Sequence, residues 1–192
     1  MNNILVFDFE TTGLLTDPTI RPIEFFGLQV NKTLGETFEG HWLINCPFPL
    51  SPKIVEITGI TDKELIENGI DLEKFLKKLD KVFSFHYDLI IGHNIIKFDI
   101  PLVEKLLNRT IKKNNIFDTA GAFKAHLIGK TQTHSDTYAF HLDVLNTPRK
   151  GVYFNLKEAI RYYEIPEREG GLHRASTDVK YTYDVFRKQY KL

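Results

Sequence analysis

Cysteine is nearly absent from this sequence: Cys46 is the single one among 192 residues, which excludes an intramolecular disulfide. One unpaired cysteine is typical of a protein from a reducing compartment. Apolar runs of about 20 residues, the length that spans a bilayer, are also lacking, so we expect no membrane partner. The first ten residues, MNNILVFDFE, reach acidic residues too early for a secretory signal peptide. These absences predict a cytoplasmic protein, or one of the host cytoplasm if the source is viral.

The sequence also lacks an excess of charge of either sign, because 25 Lys and Arg residues balance 25 Asp and Glu residues. A protein that coats nucleic acid without sequence preference normally carries a basic excess, so neutrality argues against that class. It does not exclude an enzyme that contacts a few phosphates locally. Repeats, low-complexity tracts and clear linkers are lacking too, and the length suits a single domain over residues 1–192.

The spacing of apolar residues predicts an α/β fold. Residues 3–9 form a near-continuous apolar run, which is typical of a central strand buried on both faces. Further strands are predicted at 20–30, 34–44 (after an NKTLG turn), 88–94 and in NIFDT. Helices are predicted at 71–83 (with Asp71 as N-cap), 98–107, 119–128, 155–163 and 174–189, with short helical pieces in ITGITDKEL. Residues 129–153 show no sustained period and are predicted to be a long loop or insertion. The order of elements favours a mixed sheet with helices on its faces.

Two carboxylates, Asp8 and Glu10, follow the apolar run of the first strand. Alternate side chains of a strand share a face, so both acids point the same way as Ile4 and Val6. Two neighbouring anions repel each other and lose hydration, and some other group must compensate for this. The simplest explanation is that one acid caps the next turn while the other stays solvated.

Three residues elsewhere favour a functional site. Asp99 opens a helix with apolar residues three, four and seven positions on, and Asp178 lies on a mostly apolar face of the last helix. His173 follows a Gly170-Gly171 hinge five residues before Asp178, which makes it a candidate base. Taken singly, an acid at a helix start is commonly a cap and a lone histidine is commonly structural.

Four carboxylates without basic counterparts indicate hard divalent cations, because all-oxygen ligation suits Mg²⁺ or Mn²⁺ better than zinc. Two such ions about 3.5–4 Å apart are the usual device for phosphoryl displacement. They would also remove the repulsion between the acids.

These residues lie in motifs that resemble the DEDDh 3′–5′ exonucleases, also called the DnaQ-like family. FDFETTGL (7–14) resembles the first motif, GHNIIKFD (92–99) the second, and HRASTD (173–178) the third in its His-containing form. TGIT (58–61) and FDT (117–119) resemble further landmarks of the family, in the expected order. The resemblance covers residues 4 to about 186.

The resemblance implies a ribonuclease-H-like fold with a five-stranded mixed sheet flanked by helices. It also implies two-metal hydrolysis that releases nucleoside 5′-monophosphates from a 3′ end. Carried over by motif, Asp8 bridges both ions, Glu10 and Asp178 complete the site of the ion that holds the attacking water, and Asp99 serves the second ion. His173 takes the proton of the water.

The same resemblance implies a set of substrate contacts: Thr11, Thr12 and Leu14 at the terminal nucleotide, with Leu14 as an apolar wedge, and Asn94 near the second motif. Thr58 stands where many proofreading members carry a histidine, so a contact to the substrate strand is altered there. The spacing from Asn94 to Asp99 is one residue longer than in proofreading subunits and matches other branches. Phe140, Tyr153 and Phe154 offer rings that could stack bases, although core packing is expected for at least two of them.

We therefore expect a metal-dependent 3′–5′ exonuclease that acts on the 3′ end of single-stranded DNA or RNA, with DNA favoured. Mg²⁺ is the expected ion, with Mn²⁺ as a substitute, and a polymerase or another replication or repair protein is the expected class of protein partner. The alternative is a catalytically inactive nucleic-acid-binding or adaptor domain on the same fold. Loss of catalysis usually removes an acid or the histidine, and all five residues are present.

Overall fold

The computed structural model describes residues 3–31, 36–133, 135–168 and 172–190. Five strands form one mixed sheet in the order β3-β2-β1-β4-β5. The strands are β1 (Asn3–Thr11), β2 (Pro22–Asn31), β3 (Glu36–Leu43), β4 (Leu89–Gly92) and β5 (Ile116–Asp118). The first three strands pair antiparallel, whereas β4 runs parallel to both β1 and β5. The predicted five-stranded, ribonuclease-H-like sheet is therefore confirmed, with β1 at its centre.

Eight helices lie within the described residues. They are α1 (Pro52–Thr58), α2 (Asp62–Asn68), α3 (Leu72–Ser84), α4 (Asp99–Leu107), α5 (Thr119–Leu127), α6 (Thr137–Asn146), α7 (Leu156–Tyr162) and α8 (Ala175–Gln189). Asp71 occupies the N-cap of α3 as predicted, but its side chain makes no capping hydrogen bond. The predicted NKTLG turn, apart from its first residue, and the Gly170-Gly171 hinge lie outside the described residues.

The two faces of β1 pack against different helices. Leu5, Phe7 and Phe9 belong to a cluster that includes Phe75 of α3 and Val103 of α4. The alternate residues Ile4 and Val6 pack with Ala175, Val179 and Phe186 of α8. Because β1 is buried on both sides, its sequence reads as an almost unbroken apolar run.

The prediction of a long loop over residues 129–153 is wrong at its centre, where α6 forms. Its buried residues include the polar His141 beside Phe140, Val144 and Leu145, so the apolar period of a helix is interrupted. Asp136 caps the helix by accepting a hydrogen bond from the Ala139 N–H at 2.9 Å. That capping residue is the sequence signal that marked the helix start.

Within the described residues, no helix combines the length and the apolar character needed to cross a bilayer.

Candidate active site

Strand β1 brings Asp8 and Glu10 to the face of the sheet that α8 covers. Both acids continue the alternation of Ile4 and Val6, which pack against α8, so both point toward that helix. The strand pairing is regular through Glu10 and shifts register between Glu10 and Thr11. The two acids therefore stand at the last regular positions of the central strand, as the alternation predicted.

The third motif meets Glu10 at the start of α8. Potential ligand atoms of Glu10, His173 and Asp178 lie within 4.8 Å of one another. The backbone N–H of His173 donates to Asp178 Oδ1 at 3.2 Å, and His173 itself adopts a left-handed backbone conformation with φ 69°. The His173 side chain is exposed, whereas Glu10 and Asp178 are half-buried. The structure thus brings together three of the predicted catalytic residues.

Asp99 reaches the same region from the first turn of α4. Its side chain is 2% exposed, and its Oδ1 accepts a hydrogen bond from the backbone N–H of Phe9 at 3.2 Å. Phe9 lies between Asp8 and Glu10, so this bond ties α4 to the acidic end of β1. Within the described part of the chain, the ligand atoms of Asp8 and Asp99 belong to no group as tight as that of Glu10, His173 and Asp178.

Burial and the negative charges of neighbouring acids raise the pKa values of all four carboxyl groups. Desolvation, with the charges of Asp99, Glu10 and Asp178, raises the pKa of Asp8 well above its ordinary value. Desolvation and the charge of Asp178 raise the pKa of Glu10 to about 8.

The other two acids behave alike. Burial raises the pKa of Asp99 to about 7 against the hydrogen bond from Phe9. Burial also raises the pKa of Asp178 to about 7 against the hydrogen bond from His173. Several carboxyl groups with raised pKa values at one place in a fold are typical of a site that binds a cation.

The donor set fits hard divalent cations. Four carboxyl groups offer oxygen ligands, which suit Mg²⁺ or Mn²⁺, and their shared repulsion is what a bound cation relieves. The imidazole of His173 is close enough to Glu10 and Asp178 to serve the same site as a ligand or as a base.

Asp118 organises the second motif, a role that sequence reasoning missed. It is completely buried and accepts backbone hydrogen bonds from Asn94 (2.9 Å), Ile96 (3.0 Å), Ala120 (2.9 Å) and Gly121 (3.1 Å). It thereby caps α5 and fixes the turn that leads to Asp99. Its place in FDT was the available signal, but two of its donors, Asn94 and Ile96, are 24 and 22 residues away in sequence.

Glu24 is a second residue beside the site whose position the sequence did not reveal. It lies on β2 directly opposite Glu10 in the antiparallel register and has no exposed surface. Its carboxylate contacts Arg174, the residue after His173. Nothing in the apolar pattern of β2 distinguishes this acid from an exposed one.

The residues predicted to bind substrate fall into two groups, of which the first is engaged within the protein. Thr11 donates its hydroxyl to the Gly13 carbonyl at 2.8 Å. Thr12 accepts the Arg21 N–H at 3.0 Å. Thr58 is 4% exposed, donates to the Ile54 carbonyl at 2.9 Å and accepts the Ile60 N–H at 3.1 Å. The Thr58 side chain therefore stabilises the end of α1, which argues against the predicted substrate contact.

The second group is accessible. Leu14 is 69% exposed beside the first motif. Asn94, with φ 65°, lines a cavity of about 440 Å³ together with His93, Ala120 and residues 152–155.

The three rings proposed for base stacking differ in their exposure and in their relation to this cavity. Tyr153 is 72% exposed at its edge, whereas Phe140 is buried and Phe154 packs against the core, as expected for two of the three. His93 anchors the segment, because its Nε2 lies 3.0 Å from the Phe154 carbonyl oxygen and its Nδ1 lies 3.0 Å from the Thr119 hydroxyl. Burial lowers the pKa of His93 to about 4, so this imidazole is neutral.

Comparison with known proteins adds independent findings. Residues 5–186 match the RNase T family model, described as an exonuclease. Exodeoxyribonuclease I of Haemophilus influenzae is 26% identical over 100 residues, which are 50% of this chain and 21% of that protein. The structure of E. coli exonuclease I in complex with a dA16 oligonucleotide superposes with a TM-score of 0.71 at 18% identity, over 100% of this chain and 41% of that one.

A zinc-bound form of the E. coli exonuclease I complex with single-stranded DNA is similar to the same degree, with a TM-score of 0.72 at 19% identity over the same shares of both chains. At these identities the structural likeness concerns the fold. The chain spans less than half the length of each of these relatives.

Proposed function

Because this chain belongs to the RNase T exonuclease family, as the resemblance to DEDDh exonucleases predicted, we propose that it is a metal-dependent 3′–5′ exonuclease. It hydrolyses phosphodiester bonds at the 3′ end of single-stranded nucleic acid and releases nucleoside 5′-monophosphates. The observation that carries the proposal is the meeting of Glu10, Asp178 and His173 within 4.8 Å, beside Asp8 and Asp99, whose carboxyl pKa values are also raised. Residues 1–192 form a single exonuclease domain in this proposal.

Asp8, Glu10, Asp99 and Asp178 hold two divalent cations, Mg²⁺ in the cell and Mn²⁺ as a substitute. When bound, such ions orient the attacking water and the leaving oxygen and neutralise the developing charge. The support for this set is electrostatic: burial and neighbouring negative charges raise the pKa of each of the four carboxyl groups, and a bound cation would relieve that repulsion and favour their ionised forms. The support for a divalent metal in a relative is the zinc-bound exonuclease I.

His173 accepts the proton of the attacking water. Its side chain is exposed and its imidazole lies beside the carboxylates of Glu10 and Asp178, so it can face both solvent and the reacting phosphate. The hydrogen bond from its backbone N–H to Asp178 holds the residue at the edge of the site. General-base catalysis of this kind contributes about 10²–10⁴-fold to a rate.

The substrate strand approaches along the exposed surface between Leu14 and the cavity at Asn94 and Tyr153. Leu14 separates the terminal base from its neighbour, and Tyr153 stacks on a base further along the strand. Thr11 and Thr12 precede Leu14 in the same loop and meet the terminal nucleotide, because each hydroxyl has one partner within the protein and keeps further hydrogen-bonding capacity.

DNA is the favoured substrate in this proposal, with RNA as the competing one. The support is the name exodeoxyribonuclease I and the dA16 oligonucleotide bound by the E. coli relative. A polymerase or another protein of replication or repair is the proposed class of protein partner, in the cytoplasm.

A time course with 3′- and 5′-labelled single strands, one of DNA and one of RNA, tests the proposal with Mg²⁺, with Mn²⁺ and with EDTA. We expect a metal-dependent ladder that shortens from the 3′ end, faster on DNA. Duplexes with matched and mismatched ends extend the test to other substrates. Intact strands in every lane would overturn the proposal in favour of a binding or adaptor domain.

A further inference from the structure

Glu24 is a charged residue in a place where charge is expensive. It has no exposed surface, and its position in β2 faces Glu10 directly across the antiparallel strand pair. A buried carboxylate next to another acid is stable only when hydrogen-bond donors and cations compensate for it. Its partners therefore indicate what it is for.

Those partners come mainly from the start of α8. Glu24 Oε1 accepts hydrogen bonds from Arg174 Nε at 3.3 Å and Nη2 at 3.2 Å, and Oε2 accepts the backbone N–H of Ala175 at 2.9 Å. His41 Nε2 lies 2.7 Å from the same Oε1. Burial acts to raise the pKa of Glu24, yet the hydrogen bonds from His41 and Ala175 and the charge of Arg174 hold it below its ordinary value.

Arg174 extends the contact to a third element. Its Nη2 also donates to Glu64 Oε1 of α2 at 3.0 Å, so one guanidinium bridges β2 and α2. Arg174 is the N-cap of α8, but its side chain makes no capping hydrogen bond. Glu24 of β2 supplies that cap, because its Oε2 accepts the backbone N–H of Ala175 at the helix start.

The location of these bonds matters because they lie inside the third motif. Arg174 and Ala175 follow His173 and precede Asp178, and both backbone N–H groups of Thr177 and Asp178 bond the Arg174 carbonyl, at 2.9 and 3.0 Å. His173 is held at φ 69°, a conformation that a residue with a side chain keeps only when its surroundings impose it. The contacts of Arg174 and Ala175 with Glu24, together with the Arg174–Glu64 bond, are long-range hydrogen bonds within two residues of His173 on its C-terminal side.

We propose that Glu24, acting through Arg174 and the Ala175 N–H, is a positioning residue that sets His173 and Asp178 against Glu10. The inference rests on the exonuclease function proposed above. Glu24 touches neither substrate nor metal in this role. Its carboxylate, paired with Arg174 and the Ala175 N–H, fixes the start of α8 on β2, the strand beside the one that carries Asp8 and Glu10.

The test uses Glu24→Gln, Arg174→Gln and the double variant, assayed on a 3′-labelled single strand with Mg²⁺. Glutamine keeps the volume of Glu24 but is uncharged and has one oxygen, so it can accept either from the Arg174 and His41 side chains or from the Ala175 N–H, but not from both sides. We expect kcat to fall about 10–100-fold in each single variant, the range typical of residues that orient a site through a neighbour. KM should stay within about 3-fold of wild type. The kcat of the double variant should be at most about 3-fold lower than that of the less active single variant, because both substitutions break the same group of contacts.

The matched control is Glu39→Gln, which breaks the ion pair of 3.2 Å between Glu39 of β3 and Lys180 of α8. This pair also joins α8 to the sheet but lies away from His173, so kcat should stay within about 2-fold of wild type. Melting temperatures of all variants show that each is folded at the assay temperature. A kcat within 3-fold of wild type in both Glu24→Gln and Arg174→Gln would overturn the proposal.

A readout without catalysis separates this proposal from the exonuclease function. The imidazole resonance of His173 in a ¹³C-correlated NMR spectrum should shift in Glu24→Gln and stay in place in Glu39→Gln. If wild type shows no nuclease activity, a shift still supports the positioning role while the proposed function fails. An unmoved resonance in Glu24→Gln would overturn the positioning role whatever the activity.

Discussion

The backbone N–H of His173 donates a hydrogen bond of 3.2 Å to Asp178 Oδ1, which closes a short loop just before α8. The bond fixes the main chain of His173 and leaves its imidazole free at the surface. In the proposed function this loop would serve two tasks: it would orient Asp178 as a metal ligand and leave the His173 ring at the surface as the base.

Replacement of His173 by Gln should lower kcat by about 10²–10⁴-fold, the contribution of a general base. Affinity for Mn²⁺, measured by electron paramagnetic resonance, should stay within about 3-fold. A parallel loss of Mn²⁺ affinity and kcat would identify His173 as a metal ligand instead of a base.

Asp8→Ala should abolish cleavage while the fold persists, because Asp8 is half-buried beside the other acids of the site, whose repulsion it adds to. We expect kcat to fall on the order of 10³-fold or more. Without metal the variant should melt at a higher temperature than wild type, since one of the repelling carboxylates is gone. Glu73→Ala, at an exposed position of α3, is the control and should retain wild-type cleavage. Wild-type activity in Asp8→Ala would remove the metal hypothesis.

The stability of the metal-free protein should fall as the pH rises from about 4 to about 8. The pKa of Glu10 is raised to about 8 and those of Asp99 and Asp178 to about 7, so the folded state binds more protons than the unfolded state in this range. The stability that these groups contribute is complete below their ordinary pKa values and is lost as the pH rises through the raised ones.

Differential scanning calorimetry at pH 5 and pH 8 checks this, and we expect a Tm lower by about 5 °C at pH 8 in EDTA. Millimolar Mg²⁺ should reverse most of the loss at pH 8, because it binds the folded site. A metal-free Tm that rises between these pH values would contradict the raised pKa values.

Asp118→Ala should destabilise the protein by about 3 kcal/mol or more, because four backbone N–H groups lose their acceptor. The comparison is Asp136→Ala, which removes an N-cap with one such bond and should cost about 1 kcal/mol. Urea denaturation measures both. Equal losses would show that the bonds from Asp118 to Asn94 and Ile96 add nothing to its capping of α5.

Tyr153→Ala should raise KM for a single strand by about 5–20-fold with kcat within about 2-fold, because stacking on one base contributes about 1–3 kcal/mol. Phe85→Ala is the matched control, since this ring is 50% exposed on a different surface cavity, away from the second motif. An unchanged KM in Tyr153→Ala would place the strand elsewhere.

The sequence predicts those features of the site that depend on local geometry, such as strand alternation and helix starts. Alternation along β1 puts Asp8 and Glu10 on one face, and the helical starts at Asp99 and Ala175 follow from spacing and composition. Glu24 and Asp118 could not be predicted in the same way, because their importance depends on partners 150 and 24 residues away.

Two further differences have similar causes. Helix α6 was predicted as part of a loop because the buried His141 interrupts its apolar period. The substrate contact at Thr58 stays a prediction, but the burial of Thr58 and its hydrogen bonds to Ile54 and Ile60, which bear on it, could not be read from the motif. In both cases the burial of one residue depends on tertiary contacts that a linear sequence pattern does not contain.

The acidic site draws on β1 at residues 8 and 10, on α4 at residue 99 and on α8 at residue 178. During synthesis these segments leave the ribosome in that order, and Asp178 emerges after all the strands of the sheet. A nascent chain therefore carries an incomplete acidic site until α8 docks. If the proposed function holds, every premature stop before residue 178 yields a product without nuclease activity, however much of the sheet has formed.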